Sequence, residues 1–146
     1  MDGGRRVAAF IPLLPRSRHT ILAATVGVSA GEATEISAEL ERIDFNEYLT
    51  AGRDDVFLTH ANGDSMEAKI FHGDWLIINR GLQPNAGDIV VARVGADYTV
   101  KIYSPCRNGL RLVASNEKYA TRFVNKKEDC EIFGVVTHVV HRLKKI

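Results

Sequence analysis

Hydrophobic and polar positions alternate, or gather into short apolar runs, over most of the chain after residue 50. Val56-Phe57-Leu58-Thr59-His60, Trp75-Leu76-Ile77-Ile78 and Ile89-Val90-Val91-Ala92-Arg93-Val94 are of strand length and rich in β-branched and aromatic side chains. Tyr98 to Tyr103, Leu110 to Ala114 and Ile132 to His141 continue the pattern. Pro84-Asn85-Ala86-Gly87-Asp88 and Gly95-Ala96-Asp97 lie between runs and carry residues that favour tight bends or tolerate positive φ. Many short strands separated by turns predict a mostly β fold, an antiparallel barrel or folded sheet and not a parallel α/β core. One short helix is predicted over Phe45 to Leu49, with Asp44 and Glu47 spaced to satisfy orphan amides at its start and Ala51-Gly52 to stop it.

Residues 1–41 differ from the rest. Gly3-Gly4, Pro12, Pro15 and the small-residue run from Ala23 to Ala33 show no sustained core periodicity, which predicts a mobile N-terminal arm ahead of a β domain spanning 42–146. Within the arm, Ser29-Ala30-Gly31 is either a flexible linker or a stretch narrow enough to enter a cleft in extended form. The prolines and the β-branched residues from Thr20 to Val26 argue against two adjacent helices there, so a helix-turn-helix and sequence-specific DNA binding are not expected.

Composition narrows the function classes. The chain has 146 residues, 45% of them hydrophobic, enough for one ordinary core plus a tail. Its formal net charge of +1 lacks the basic excess of an autonomous nucleic-acid binder. Two cysteines, Cys106 and Cys130, cannot make a disulfide framework or supply the usual thiolate pairs of a metal site, so a reducing cytoplasm and no metal or cofactor are expected. No run of about 18 apolar residues is present, so no membrane span is expected.

The chemistry concentrates in Gly63-Asp64-Ser65-Met66 and in Lys101, which lies inside the alternating run Tyr98 to Tyr103. A serine hydroxyl attacks a carbonyl only when a neighbouring base takes its proton. Lysine serves as that base only when neutral, and lowering its pKa from about 10.4 to roughly 7 means disfavouring the charged form by about 4 to 5 kcal/mol. Burial among apolar neighbours does this. Taken alone, Asp64 or Ser65 reads better as the cap of a short helix that Met66 to Ile70 suggests, beside a turn glycine, and Lys101, with Thr99 and Tyr103 on one strand face, fits a solvated position. His72 and Asp74 are the nearest partners for a histidine triad, but a polar turn accounts for both. His138 and His141, three apart in a strand-like run, point to opposite faces.

Taken together, the residues resemble the LexA/UmuD group of self-cleaving proteins, and within it the UmuD-type mutagenesis proteins. The resemblance rests on Arg42-Ile43-Asp44 with Asn46, Gly63-Asp64-Ser65-Met66, Gly73-Asp74-Trp75-Leu76-Ile77, Gly87-Asp88-Ile89-Val90-Val91-Ala92, Thr99-Val100-Lys101 and Phe133-Gly134-Val135-Val136-Thr137-His138-Val139-Val140. It implies a compact LexA/signal-peptidase-like β domain in which Ser65 is the nucleophile, Lys101 its base, and the amides of Asp64 and Ser65 the oxyanion donors. It also implies self-cleavage at Ala30-Gly31, with Val26-Gly27 a bulkier alternative. Glu32-Ala33-Thr34 departs from the Phe-Pro-Ser-Pro run often found after the cut. A RecA filament on single-stranded DNA is the implied co-protease. The processed form is the implied accessory subunit of a Y-family translesion polymerase, and a homodimer is expected. The competing readings are a non-catalytic dimeric interaction module, a signal-peptidase-like enzyme acting on other chains, and a repressor.

Overall fold

The computed structural model describes residues 10–13, 20–24 and 40–146, with 20–24 and 40–43 as backbone alone. The chain divides into two compact units, Leu14–Asp54 and a larger one made of residues 1–13 and 55–146. This division differs from the boundary expected at 41/42. Short stretches of the expected arm form strands: β1 (Ile11–Pro12) pairs with a strand of the larger unit, and β2 (Thr20–Ala24) with one of the smaller. Pro12 is compatible with β1 because β1 is the edge of its sheet, where a missing N–H leaves no ladder bond unmade on the outer side.

In the smaller unit, β2 runs antiparallel to β3 (Leu40–Asp44), in a register that opposes Thr20 to Asp44 and Ala24 to Leu40. The expected helix follows as α1 (Phe45–Thr50). The Asp44 carboxylate accepts from the N–H groups of Asn46 and Glu47 at 3.0 and 3.2 Å, satisfying amides that a helix start leaves open. Ala51 ends it in the left-handed conformation, at φ 50°.

The larger unit is an eight-stranded antiparallel sheet in the order β1-β4-β5-β10-β6-β7-β8-β9. Its further strands are β4 (Val56–His60), β5 (Trp75–Asn79), β6 (Ile89–Val94), β7 (Asp97–Cys106), β8 (Gly109–Val113), β9 (Arg122–Asn125) and β10 (Cys130–Val140). The mostly β expectation holds. The apolar run over 132–141 is an interior strand, paired with β5 on one side and β6 on the other.

The sheet is buried on both faces at β6, as its unbroken apolar run requires. Val91 packs with Ala61, Met66, Ile70, Leu76 and Ile78, whereas Val90 and Ala92 pack with Leu112, Val124 and Val135. β10 shifts register between Ile132 and Gly134 and again between Val136 and His138, and such bulges bend a strand. Gly134 sits tightly against β5: a Cβ there would lie 2.7 Å from Cγ2 of Ile78 and 2.9 Å from the Asn79 carbonyl oxygen. Backbone cannot yield as a flexible side chain does, so Gly134→Ala should destabilise the chain by about 1 to 3 kcal/mol. Urea unfolding beside the unmodified chain measures it, and an unchanged midpoint would show that β10 can move away from β5.

Candidate active site

Ser65 lies in the segment 61–74 that joins β4 to β5. The base of this segment extends the β4–β5 pairing, with Ala61 N–H donating to the Asp74 carbonyl and Gly73 N–H to the Ala61 carbonyl, each at 2.8 Å. Met66 and Ile70 reach into the core and are 4% and 2% exposed, so the segment is pinned at its middle as well as its ends. Gly63, at φ +88°, turns the chain just before Asp64, and its N–H donates to Nδ1 of His72 at 2.9 Å. Residues 65–70 form turns, with Glu67 N–H donating to the Asp64 carbonyl and Ile70 N–H to that of Met66, in place of the short helix that Met66 to Ile70 suggested. Five residues close too few such bonds to propagate a helix.

Lys101 projects from β7. Strand alternation sends Val100 and Ile102 into the core beside Met66 and Ile70, and leaves Lys101 on the opposite side with Thr99. Its Nζ lies 2.9 Å from Ser65 Oγ, 2.9 Å from Thr99 Oγ1 and 3.0 Å from the Val100 carbonyl oxygen. A neutral amine has two protons and one lone pair, and these partners accommodate it: the carbonyl oxygen and Thr99 Oγ1 accept, while the Ser65 hydroxyl donates to the lone pair. Desolvation by burial holds the Lys101 pKa below the ordinary 10.5.

Ser65 and Lys101 are thus brought together across two strands' worth of sheet. The N–H groups of Asp64 and Ser65 have no hydrogen-bond acceptor among the described residues. Beside them opens a cleft of about 710 Å³, lined by Thr59, Ala61, Gly63, Ser65 and Val100 among others. Ala30, Gly31 and the alternative Val26-Gly27 lie outside the described residues.

His72 and Asp74 find other partners. His72 holds Gly63, while the Asp74 carboxylate, 3% exposed, accepts from Phe71 N–H at 2.8 Å and pairs with Nδ1 of His141 at 2.5 Å. His141 therefore ties the end of the chain beyond β10 to the base of the Ser65 segment. What the sequence reading missed is the connection between β8 and β9. Ser115, Asn116 and Tyr119 from that stretch all touch residues 64–67. Ser115-Asn116-Glu117-Lys118 reads only as a polar turn, and no periodicity marks its partner.

A mostly antiparallel sheet that sets Ser65 beside a desolvated Lys101 and an open cleft can be placed among known proteins. Residues 22–137 match the Peptidase S24-like family, and the chain belongs to that family. Among its relatives, Protein ImpA of Escherichia coli is 35% identical over 109 residues, covering 73% of this chain and 72% of ImpA. Protein SamA of Salmonella typhimurium is 32% identical over 105 residues, covering 71% of this chain and 72% of SamA. The LexA repressor of Sorangium cellulosum is 35% identical over 107 residues, which cover 71% of this chain and 46% of the repressor. Within the family the chain is of the UmuD type.

Burial of Lys101 carries a stability consequence whose sign is fixed. Its folded pKa is lowered, so between that value and 10.5 the unfolded chain holds more protons than the folded one, and stability rises with pH across that window. Lys101→Met removes the buried charge. The variant should melt at a higher temperature than the unmodified chain at pH 7, with the gap closing as the pH approaches 10.5; a gap independent of pH would mean that Lys101 is not desolvated.

Proposed function

We propose that this chain is a self-processing serine endopeptidase that uses a Ser65/Lys101 dyad to cut its own N-terminal segment at Ala30-Gly31. The observation that carries the reading is the 2.9 Å approach of Lys101 Nζ to Ser65 Oγ, joined to burial that favours the neutral amine. In the forward step Ser65 Oγ bonds to the Ala30 carbonyl carbon as its proton passes to Nζ. The oxyanion that forms is stabilised by the N–H groups of Asp64 and Ser65. The Lys101 ammonium then gives its proton to the Gly31 nitrogen, the carbon–nitrogen bond breaks, and the acyl group remains on Oγ. Water, deprotonated by the now neutral Lys101, attacks the ester and frees Ser65.

Tethering supports a self-directed substrate, because a segment of the same chain needs only to dock, and high effective concentration replaces a large recognition surface. Residues 30–31 fall between β2 and β3 in sequence, and small side chains there suit a cleft approached by backbone. As in the family, a RecA filament on single-stranded DNA raises the docked population, the cytoplasm is the setting, and the processed, dimeric form joins a Y-family polymerase subunit in error-prone synthesis after DNA damage. No helix among the described residues is long and apolar enough to cross a membrane.

Intact mass of the purified chain tests the reading, alone at alkaline pH and with RecA, ATP and single-stranded DNA at neutral pH. A cut at Ala30-Gly31 is expected, reduced about 10³-fold or more in Ser65→Ala and in Lys101→Ala. Without RecA the rate should rise with pH as Lys101 loses its proton and level off below the ordinary lysine value of 10.5, since burial lowers that pKa. Undiminished cutting in both variants sinks the dyad, and a chain that stays whole in every condition points to a non-catalytic interaction module.

A further inference from the structure

The turn that presents Ser65 is gripped from one side by the connection between β8 and β9. Asn116 makes two of the contacts: its backbone N–H donates to the Ser65 carbonyl at 3.0 Å, and its side-chain Nδ2 donates to the Asp64 carbonyl, also at 3.0 Å. The orientation of this amide is itself fixed, because Oδ1 accepts from Lys118 N–H at 3.1 Å and so leaves Nδ2 toward Asp64. Ser115 Oγ donates to the Glu67 carbonyl at 2.8 Å, and the Tyr119 hydroxyl bonds the Asp64 carboxylate.

A trans peptide is planar, with its C=O and N–H pointing in opposite directions. Holding the Asp64 carbonyl against Asn116 therefore directs the Ser65 N–H away from the β8–β9 connection. Holding the Ser65 carbonyl fixes the other peptide plane next to the serine, and with it the backbone from which Oγ reaches Lys101. Both planes flanking the serine are set by one residue. Asn116 is half-buried, which strengthens these bonds relative to exposed ones.

We propose that Asn116 is a positioning residue for self-cleavage: by clamping the carbonyls on both sides of Ser65 it aims the Ser65 N–H at the oxyanion and Oγ at Lys101. This deepens the assignment of Ser65 as nucleophile and rests on it. Asn116 does not touch Lys101 Nζ, so it sets how well the dyad is aligned and leaves the proton affinity of the base alone.

The test compares the full chain with Asn116→Asp, Asn116→Ala and Ser115→Ala, by self-cleavage rate against pH, by labelling of Ser65 with a fluorophosphonate, and by thermal unfolding. Asn116→Asp keeps the acceptor for Lys118 but has no donor for the Asp64 carbonyl. Both Asn116 variants should lose about tenfold or more in plateau cleavage rate and in labelling, in the direction seen when an oxyanion donor is misplaced. In Asn116→Ala, which adds no charge, the pH midpoint should stay at that of the unmodified chain, whereas the added carboxylate of Asn116→Asp should move it upward. Both Asn116 variants keep the backbone bond to the Ser65 carbonyl and so test the hold on the Asp64 carbonyl; Ser115→Ala, which removes a bond from the same connection and leaves that hold in place, should stay within about threefold.

Asn116 variants within about threefold of the unmodified chain would overturn the proposal. A pH midpoint that moves with the plateau in Asn116→Ala would also overturn it, since Asn116 would then act through the base. Loss of the folded state in both Asn116 variants would make it a folding residue instead. An unmodified chain that stays uncut yet is labelled at Ser65 in an Asn116-dependent way would end the self-cleavage reading and leave the positioning role standing; one neither cut nor labelled would end both.

Discussion

An ammonium group gives up strong hydration when protein covers it, and Lys101 is covered because β7 lies between β6 and β8 while the segment from β4 to β5 brings Ser65 against it. That arrangement has structural requirements well away from the lysine. The covering segment must not lift, so Met66 and Ile70 anchor it in the core and the Asp74 carboxylate, itself buried, is tied to His141. β7 must keep its register, and it is held between β6, packed on both faces, and β8, which sends Leu110 and Leu112 into one of the two clusters. A lysine disfavoured in its charged form is a cost to folding, and the two core clusters offset it.

The polar groups around the segment 61–74 are arranged by role. His60 stacks on Trp75 at 3.5 Å between ring centroids and meets the Gly73 carbonyl, which stiffens the base of the segment. His72 acts as an acceptor for Gly63 and so governs the turn before Ser65. None of the three histidines near the segment is bonded to Ser65 among the described residues, and the basic group that meets its hydroxyl is the half-buried amine of Lys101.

Much of this was legible in the sequence because it depends on local pattern. Six of the strands announce themselves by apolar runs of the right length, and Asp44 with Glu47 marks the start of α1. Gly63-Asp64-Ser65-Met66 and Lys101 stood out by residue type, although alternation alone left open whether the lysine face was covered. β9 was missed because only Val124 of its four residues is buried, and a single apolar position has no period. β1 was missed because two residues containing a proline make no pattern, and their partner β4 is distant in sequence. Asn116 was invisible for a similar reason: its partners, the carbonyls of residues 64 and 65, are backbone groups that every sequence has, and only the fold decides which polar turn meets them.

The strand pairings near the start of the chain separate two events that a single scission would seem to combine. Residues Ala24 and Leu40 face each other in β2 and β3, with residues 30–31 in the stretch between, while β1 is hydrogen-bonded to β4 and Phe10 stacks on Phe133 at 4.1 Å. The proposed cut at Ala30-Gly31 would remove the covalent link without itself breaking any of these contacts, which lie on either side of it. The severed piece would then be a bound ligand of the remaining chain, leaving at a rate set by dissociation. Its departure would uncover the edge of β4 and the ring of Phe133, so the lifetime of the nicked complex, and not the chemistry at Ser65, would time the appearance of that surface.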